Sequence, residues 1–169
     1  MATACRPIRL FAVAALATLL GACGFQLRGT TALPVAWQQL HLSSPSPNSE
    51  LAQEVQGRLR SSGVEWVARK DANFVIELSN EQFEQRSLSV GAQVRAAEFE
   101  LVLSVEYAIY DRAGRQVRSP DTARVTALVE NDPQNIVGKT DEIRMLREEL
   151  RGDLVQQIVR QISFAANVG

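Results

Sequence analysis

Cysteine is nearly absent from this chain of 169 residues, with Cys5 and Cys23 the two examples. Histidine is rarer still, His41 alone, and aromatic residues make up 6%. Each shortage excludes something. Cys5 falls in a leader that is removed, as argued below, so Cys23 is the last thiol and no internal disulfide can form. The fold must therefore rest on its apolar core. One histidine and no spare cysteine leave no donor set for the common zinc sites. A serine-type triad would have to recruit His41, which falls on an expected strand with no partner signature around it. The ten glycines are scattered, so no phosphate-cradling glycine loop is present. Large aromatics anchor most tight interfaces, and their scarcity argues against a large sticky surface. No cofactor, metal or catalytic residue is implied, and the chain reads as a non-enzyme.

Long hydrophobic runs are also missing. The longest, residues 10–20, is short of the roughly 20 apolar residues that a spanning helix needs. Preceded by Arg6 and Arg9, it has the form of a secretory signal. It ends in Leu20-Gly21-Ala22-Cys23, an aliphatic residue, two small residues and a cysteine, which is the form of a bacterial lipobox. Small Gly21 and Ala22 let an extended backbone enter a narrow protease site, and a thiol is the nucleophile that lipidation needs. Residues 1–22 are therefore expected to be a lipoprotein signal peptide, cut between Ala22 and Cys23, with Cys23 lipidated. One acyl chain holds a protein to a bilayer only marginally, whereas several hold it durably.

What remains, residues 23–169, suits one domain with a single core. The 18 basic residues less Arg6 and Arg9 leave 16 against 19 acidic, a balance of −3. That is no footprint for nucleic acid.

Residues 23–31 form a tether or a short strand, with Phe25 and Leu27 alternating with Gln26 and Arg28. Residues 37–42 alternate as a short strand, and Pro45 and Pro47 mark a turn. Leu51, Val55 and Leu59 recur at helical spacing, which predicts a helix over 49–62 with Asn48 or Ser49 as cap and Gly63 past its end. Residues 64–68 are a strand candidate. Phe74, Ile76 and Leu78 alternate with polar neighbours, and the period is carried on through Phe83 toward Leu88. Over 96–110, Phe99, Leu101, Leu103, Val105, Tyr107 and Ile109 occupy one face, with Glu98, Glu100, Ser104 and Glu106 on the other. That pattern belongs to an antiparallel sheet with one covered face. Paired Glu98 and Glu100 then serve solubility. Asp111-Arg112-Ala113-Gly114 is a hairpin turn, a returning strand covers 116–130, and Ser119-Pro120 bulges it or ends an edge segment. Residues 135–140 are loop or a first helical turn. Ile143, Leu146, Leu150, Leu154, Ile158 and Ile162 trace a second helix over 141–165, in which Gly152 marks close packing. Two helices of one apolar stripe each must bury against the one covered sheet face. The fold expected is α+β, a two-layer sandwich with two helices on a mostly antiparallel sheet of about four strands.

Basic residues outside the helices gather in loops. Arg86 and Arg95 flank the Gly91 loop, Lys139 precedes the second helix, and Arg112, Arg115 and Arg118 crowd the Gly114 turn. Such loops suit an anionic amphiphile, since phosphates pair with Arg and Lys.

Three segments carry a resemblance. Cys23-Gly24-Phe25-Gln26-Leu27-Arg28-Gly29, Ala97-Glu98-Phe99-Glu100-Leu101, and Asp132-Pro133-Gln134 with Lys139 five residues on resemble the lipopolysaccharide-assembly lipoprotein family LptE, over essentially all of the chain after the leader. The resemblance implies an outer-membrane lipoprotein, lipid-anchored on the periplasmic side. Its domain would plug the lumen of the β-barrel LptD, assist that barrel's assembly and bind lipopolysaccharide. By motif it carries lipopolysaccharide binding onto Lys139. A second basic position falls on Ala92, with Arg95 the nearby residue that could serve. Gly24 fits sorting to the outer membrane. The alternative is a scaffold or adaptor lipoprotein of another envelope machine, and an enzyme using His41 is third.

Overall fold

The computed structural model describes residues 33–88, 98–130 and 136–168. The leader, Cys23, the Gly91 loop and Asp132-Pro133-Gln134 lie outside these residues. The unit from Ala32 to Gly169 is compact. It opens with a 3-10 turn, Val35–Trp37, and continues as β1 (Gln39–Ser43), α1 (Glu50–Ser61), β2 (Glu65–Trp66), β3 (Phe74–Leu88), β4 (Glu98–Asp111), β5 (Gln116–Glu130) and α2 (Ile136–Val168). Trp37 thus belongs to the turn and not to the first strand. The second helix begins five residues before the expected Asp141, so Lys139 lies inside it and not in a loop.

The two helices and the sheet make the expected α+β sandwich, but the sheet has five strands in the order β2-β1-β3-β4-β5. Part of it is parallel: β1 pairs with β2 and with β3 in parallel, while β3–β4–β5 is antiparallel. The reason is covalent. α1 follows β1 as a crossover, which returns the chain to start the next strand beside β1 in the same direction. β2 is only two residues long, so its parallel character left no alternating pattern to read.

Local chemistry sets the helix ends. The Ser49 hydroxyl accepts from the Ala52 N–H at 3.2 Å, and Glu50 stands in the first turn of α1, both favourable at the positive end of a helix. Gly63 takes φ 91° just past its end. Leu51, Val55 and Leu59 of α1 and Leu154, Ile158 and Ile162 of α2 share one core with Leu40, Ile76, Leu101 and Ile109 of the sheet. Trp66 donates from Nε1 to the Gln56 carbonyl at 3.1 Å, tying β2 to α1. Trp37 stacks on Phe74 with ring centroids 4.0 Å apart.

Gly152 does not mark close packing. A Cβ built there meets only the Glu54 Oε1, at 3.8 Å. Long polar side chains span this part of the α1–α2 contact, among them Arg151 paired with Glu50.

Phe74, Ile76 and Leu78 have even numbers, yet Phe83 also packs against the core. A one-residue bulge makes this possible. Ser79 pairs with Glu106 but Gln82 pairs with Ser104, so three steps along β3 match two along β4. Asn80 sits in the bulge at φ 52°, a conformation asparagine tolerates better than most residues. Its Nδ2 donates to Glu106 Oε1 at 3.0 Å and its Oδ1 accepts from Gln82 at 2.8 Å. On β5 the register shifts twice between Asp121 and Gln116, around Ser119-Pro120 as expected of an edge strand. The sheet's other face is less open than alternation implies. Val102 and Ser104 on it are 2% and 8% exposed. Ser104 lies between two longer neighbours, Gln82 and Arg124, and Val102 between the longer Glu84 and Thr126, which is of its own size.

Candidate functional site

Lys139 is the one candidate ligand-binding residue among the described residues; Arg95, Ala22 and Cys23 lie outside them. Its position follows from two strands and a helix. Leu88 at the end of β3 is the Cα partner of Glu98 at the start of β4, and Glu98 is the partner of Glu130 at the end of β5. α2 starts six residues after Glu130. The ends of β3 and β5 and the start of β4 thus meet at one end of the sheet, the end at which Lys139 reaches the Glu130 carbonyl.

There Lys139 is well engaged. Its Nζ donates to the Glu130 carbonyl, and Glu142 Oε2 lies 3.3 Å away. The side chain is 14% exposed. An ammonium has three N–H donors, and among the described residues two acceptors face it, the Glu130 carbonyl and the Glu142 carboxylate. Beyond it, Arg144 pairs with Asp141 at 3.3 Å and with Glu148 at 3.7 Å. Arg86 on β3 donates to Glu84 through Nε at 2.8 Å. Arg147 of α2 lies over the Phe83 ring, 4.6 Å from its centroid, a cation–π contact.

The cations of the Gly114 turn belong elsewhere. That turn joins β4 to β5 at the far end of a strand of 14 residues, about 45 Å away at a strand's rise. Gly114 has φ 77° as its turn requires. Arg115 pairs with Asp111 at 2.7 Å and Arg118 with Asp121 at 3.6 Å. Hydrogen bonds from the Arg115 backbone, and then its side chain, hold the Asp111 carboxyl below the usual carboxylate range. Near it, burial first and then the Asp121 charge push the Tyr107 phenol up. Tyr107 donates its hydroxyl to Asp121 at 3.2 Å. Arg86 and Lys139 therefore lie apart from the cations of the Gly114 turn, of which Arg115 and Arg118 serve the hairpin.

His41 has a structural contact. Its Nδ1 lies 3.0 Å from the Val67 carbonyl, which can only accept, so the ring pins β1 to the segment after β2. Among the described residues no group of three metal-ligating side chains comes together, and no helix is long and apolar enough to cross a membrane. Sequence reading missed both partners of Lys139. Glu142 was visible at i+3; the Glu130 carbonyl was not, because it depends on where α2 begins. It also missed a pocket of about 220 Å³ between Ser44-Pro45-Ser46 and Leu78-Ser79-Asn80-Glu81, floored by Val105.

Comparison with known proteins now bears on this geometry. The family model described as "LptE: Lipopolysaccharide-assembly" matches residues 37–162. Proteins named LPS-assembly lipoprotein LptE from Yersinia pestis (strain Pestoides F) and Yersinia pseudotuberculosis (serotype O:1b) are 33% identical over 143 residues, which is 83% of this chain and 68% of theirs. Among solved structures, lipoprotein B from Nitrosomonas europaea superimposes with TM-score 0.73 at 26% identity, over 86% of this chain and 94% of that one. The rare lipoprotein B from Shewanella oneidensis gives 0.64 at 29% identity, over 73% and 92%. The order of strands and helices, the family match and the relatives agree, and the chain belongs to the LptE family of lipopolysaccharide-assembly lipoproteins.

Proposed function

We propose that this protein is a non-catalytic outer-membrane lipoprotein that forms a complex with the β-barrel LptD, plugs and helps assemble that barrel, and binds lipopolysaccharide on its way to the outer leaflet. The observation that carries this is the family match across 37–162. In this reading the leader 1–22 is removed between Ala22 and Cys23, Cys23 carries the lipid, and residues 23–169 form one domain on the periplasmic side, within the barrel lumen. Lys139 meets a phosphate of the lipopolysaccharide through its ammonium, and Arg95 is its candidate companion.

The surface suits a plug. The lumen of a barrel is polar. On the face of the sheet away from the helices, Glu84, Arg86, Glu100, Arg124 and Thr126 mix both signs of charge. On the outer side of α2 the charges are paired along the helix, as with Arg144 between Asp141 and Glu148. Such a surface enters a polar lumen without leaving a large unmatched charge. Depletion in cells is the test: correctly assembled barrel and surface lipopolysaccharide should both fall. Normal levels of both after depletion would rule the reading out.

A further inference from the structure

We propose that the chain, when free of other partners, forms a symmetric dimer by antiparallel pairing of residues 82–88 of β3 with the same residues of a second copy. β1 pairs with β3 only from Phe74 to Glu77. Ser44, Pro45 and Ser46 then stand opposite residues 78–81 around the pocket, and the chain turns off into α1. From Gln82 to Leu88 no strand among the described residues occupies that side of β3, although β4 pairs the other side throughout. An unpaired strand edge is a template for another strand. Natural edges are blunted by charges, and this one carries Glu84 and Arg86, so the question is what those charges would meet.

They meet each other. Among the described residues the unpaired stretch is seven residues long, and its middle residue is Gln85. A two-fold axis through Gln85 sets Glu84 opposite the second copy's Arg86, and Arg86 opposite its Glu84. Gln85 faces Gln85, Phe83 faces Ser87, and Gln82 faces Leu88. Opposite charges across an antiparallel pair are favourable, and like charges directly opposite are not. Moving the axis to Glu84 would set Glu84 against itself. Moving it to Arg86 would do the same with Arg86. The sequence thus selects one register. Glu84 and Arg86 already touch within one chain, at 2.5 Å, with side chains 42% and 50% exposed, so the dimer closes a ring of four alternating charges. A self-complementary patch is what a two-fold interface requires. The bulge at Asn80 and the loop over 78–81 limit the pairing at one end. The two sheets would join into one of ten strands, each copy contributing five.

The full-length lipoprotein, purified in mild detergent without a barrel, tests this. Gln85→Cys should give a disulfide dimer on mild oxidation, because facing Cβ atoms lie about 4.5–5.5 Å apart in such a pair. Gln53→Cys, on the exposed side of α1, and the wild-type chain are the controls for crowding in a micelle. In sedimentation, Glu84→Arg should weaken the dimer by roughly tenfold or more, and adding Arg86→Glu should restore it. Arg86 is exposed and Glu84 half-buried, and unchanged thermal melting would confirm that the variants fold. A wild-type chain that stays monomeric at high concentration would overturn the proposal. So would equal cross-linking at positions 85 and 53, or dimers indifferent to the charge reversal.

Discussion

Lys139, the proposed lipopolysaccharide contact, also serves the fold. It stands in the first turn of α2, and its ammonium fastens that turn to the last carbonyl of β5 at Glu130. Lys139→Glu would remove that donor and bring a second carboxylate beside Glu142. The expected result is weaker lipopolysaccharide binding together with a stability loss of about 1–2 kcal/mol, the usual cost of a charged hydrogen bond. Lys139→Arg should retain most of both. Parallel binding and melting measurements check this, and unchanged binding in Lys139→Glu would remove the residue from the site. Gly152 gives the opposite case. Its added methyl would meet nothing closer than 3.8 Å, so Gly152→Ala should stabilise the protein by up to about 1 kcal/mol through helix propensity alone, measured as a higher denaturation midpoint. At this scale the sequence showed which residue types could bind a phosphate. It could not show which were already engaged, since the Asp111–Arg115 and Lys139–Glu130 contacts depend on turn and helix boundaries.

Among the elements, β3 repays attention because its numbering breaks step. Phe74, Ile76 and Leu78 face the helices, and so does Phe83, which strict alternation would turn away. The bulge at Asn80 reconciles them. The signal was present as an odd residue after a run of even ones. A period carried straight through Phe83 overlooks it. Asn80→Val should cost about 1–2 kcal/mol or more, since a branched residue resists the left-handed region, while Asn80→Gly should cost little. Equilibrium unfolding of the two variants checks the order. β4 was the most legible element, because six apolar residues in unbroken alternation on one face, Phe99 to Ile109, leave few other readings. β2 was the least, because two residues hold no period. The long α2 was clear in its stripe and unclear at its start, where no apolar stripe distinguishes a first turn from a loop.

As a whole, the molecule is two helices on one face of a sheet whose other face is polar and mixed in charge. The layer arrangement could be read from two stripes and one alternating face, and it holds. The parallel pairing of β1 could have been inferred only from the crossover through α1. Burial of Val102 and Ser104 on the polar face required the neighbouring strands to be known. The candidate site was legible as chemistry and not as geometry: Lys139 and Arg95 were chosen as cations, and the contacts of Lys139 needed the strand register and the start of α2. In the reading proposed above, the protein acts as a lipid-anchored plug, through shape, charge and position. Purification of the tagged full-length lipoprotein from membranes in mild detergent tests this most directly. A large outer-membrane β-barrel recovered in about equal amount is the result expected. Recovery of the lipoprotein with only soluble or cell-wall partners, and no barrel, would contradict it.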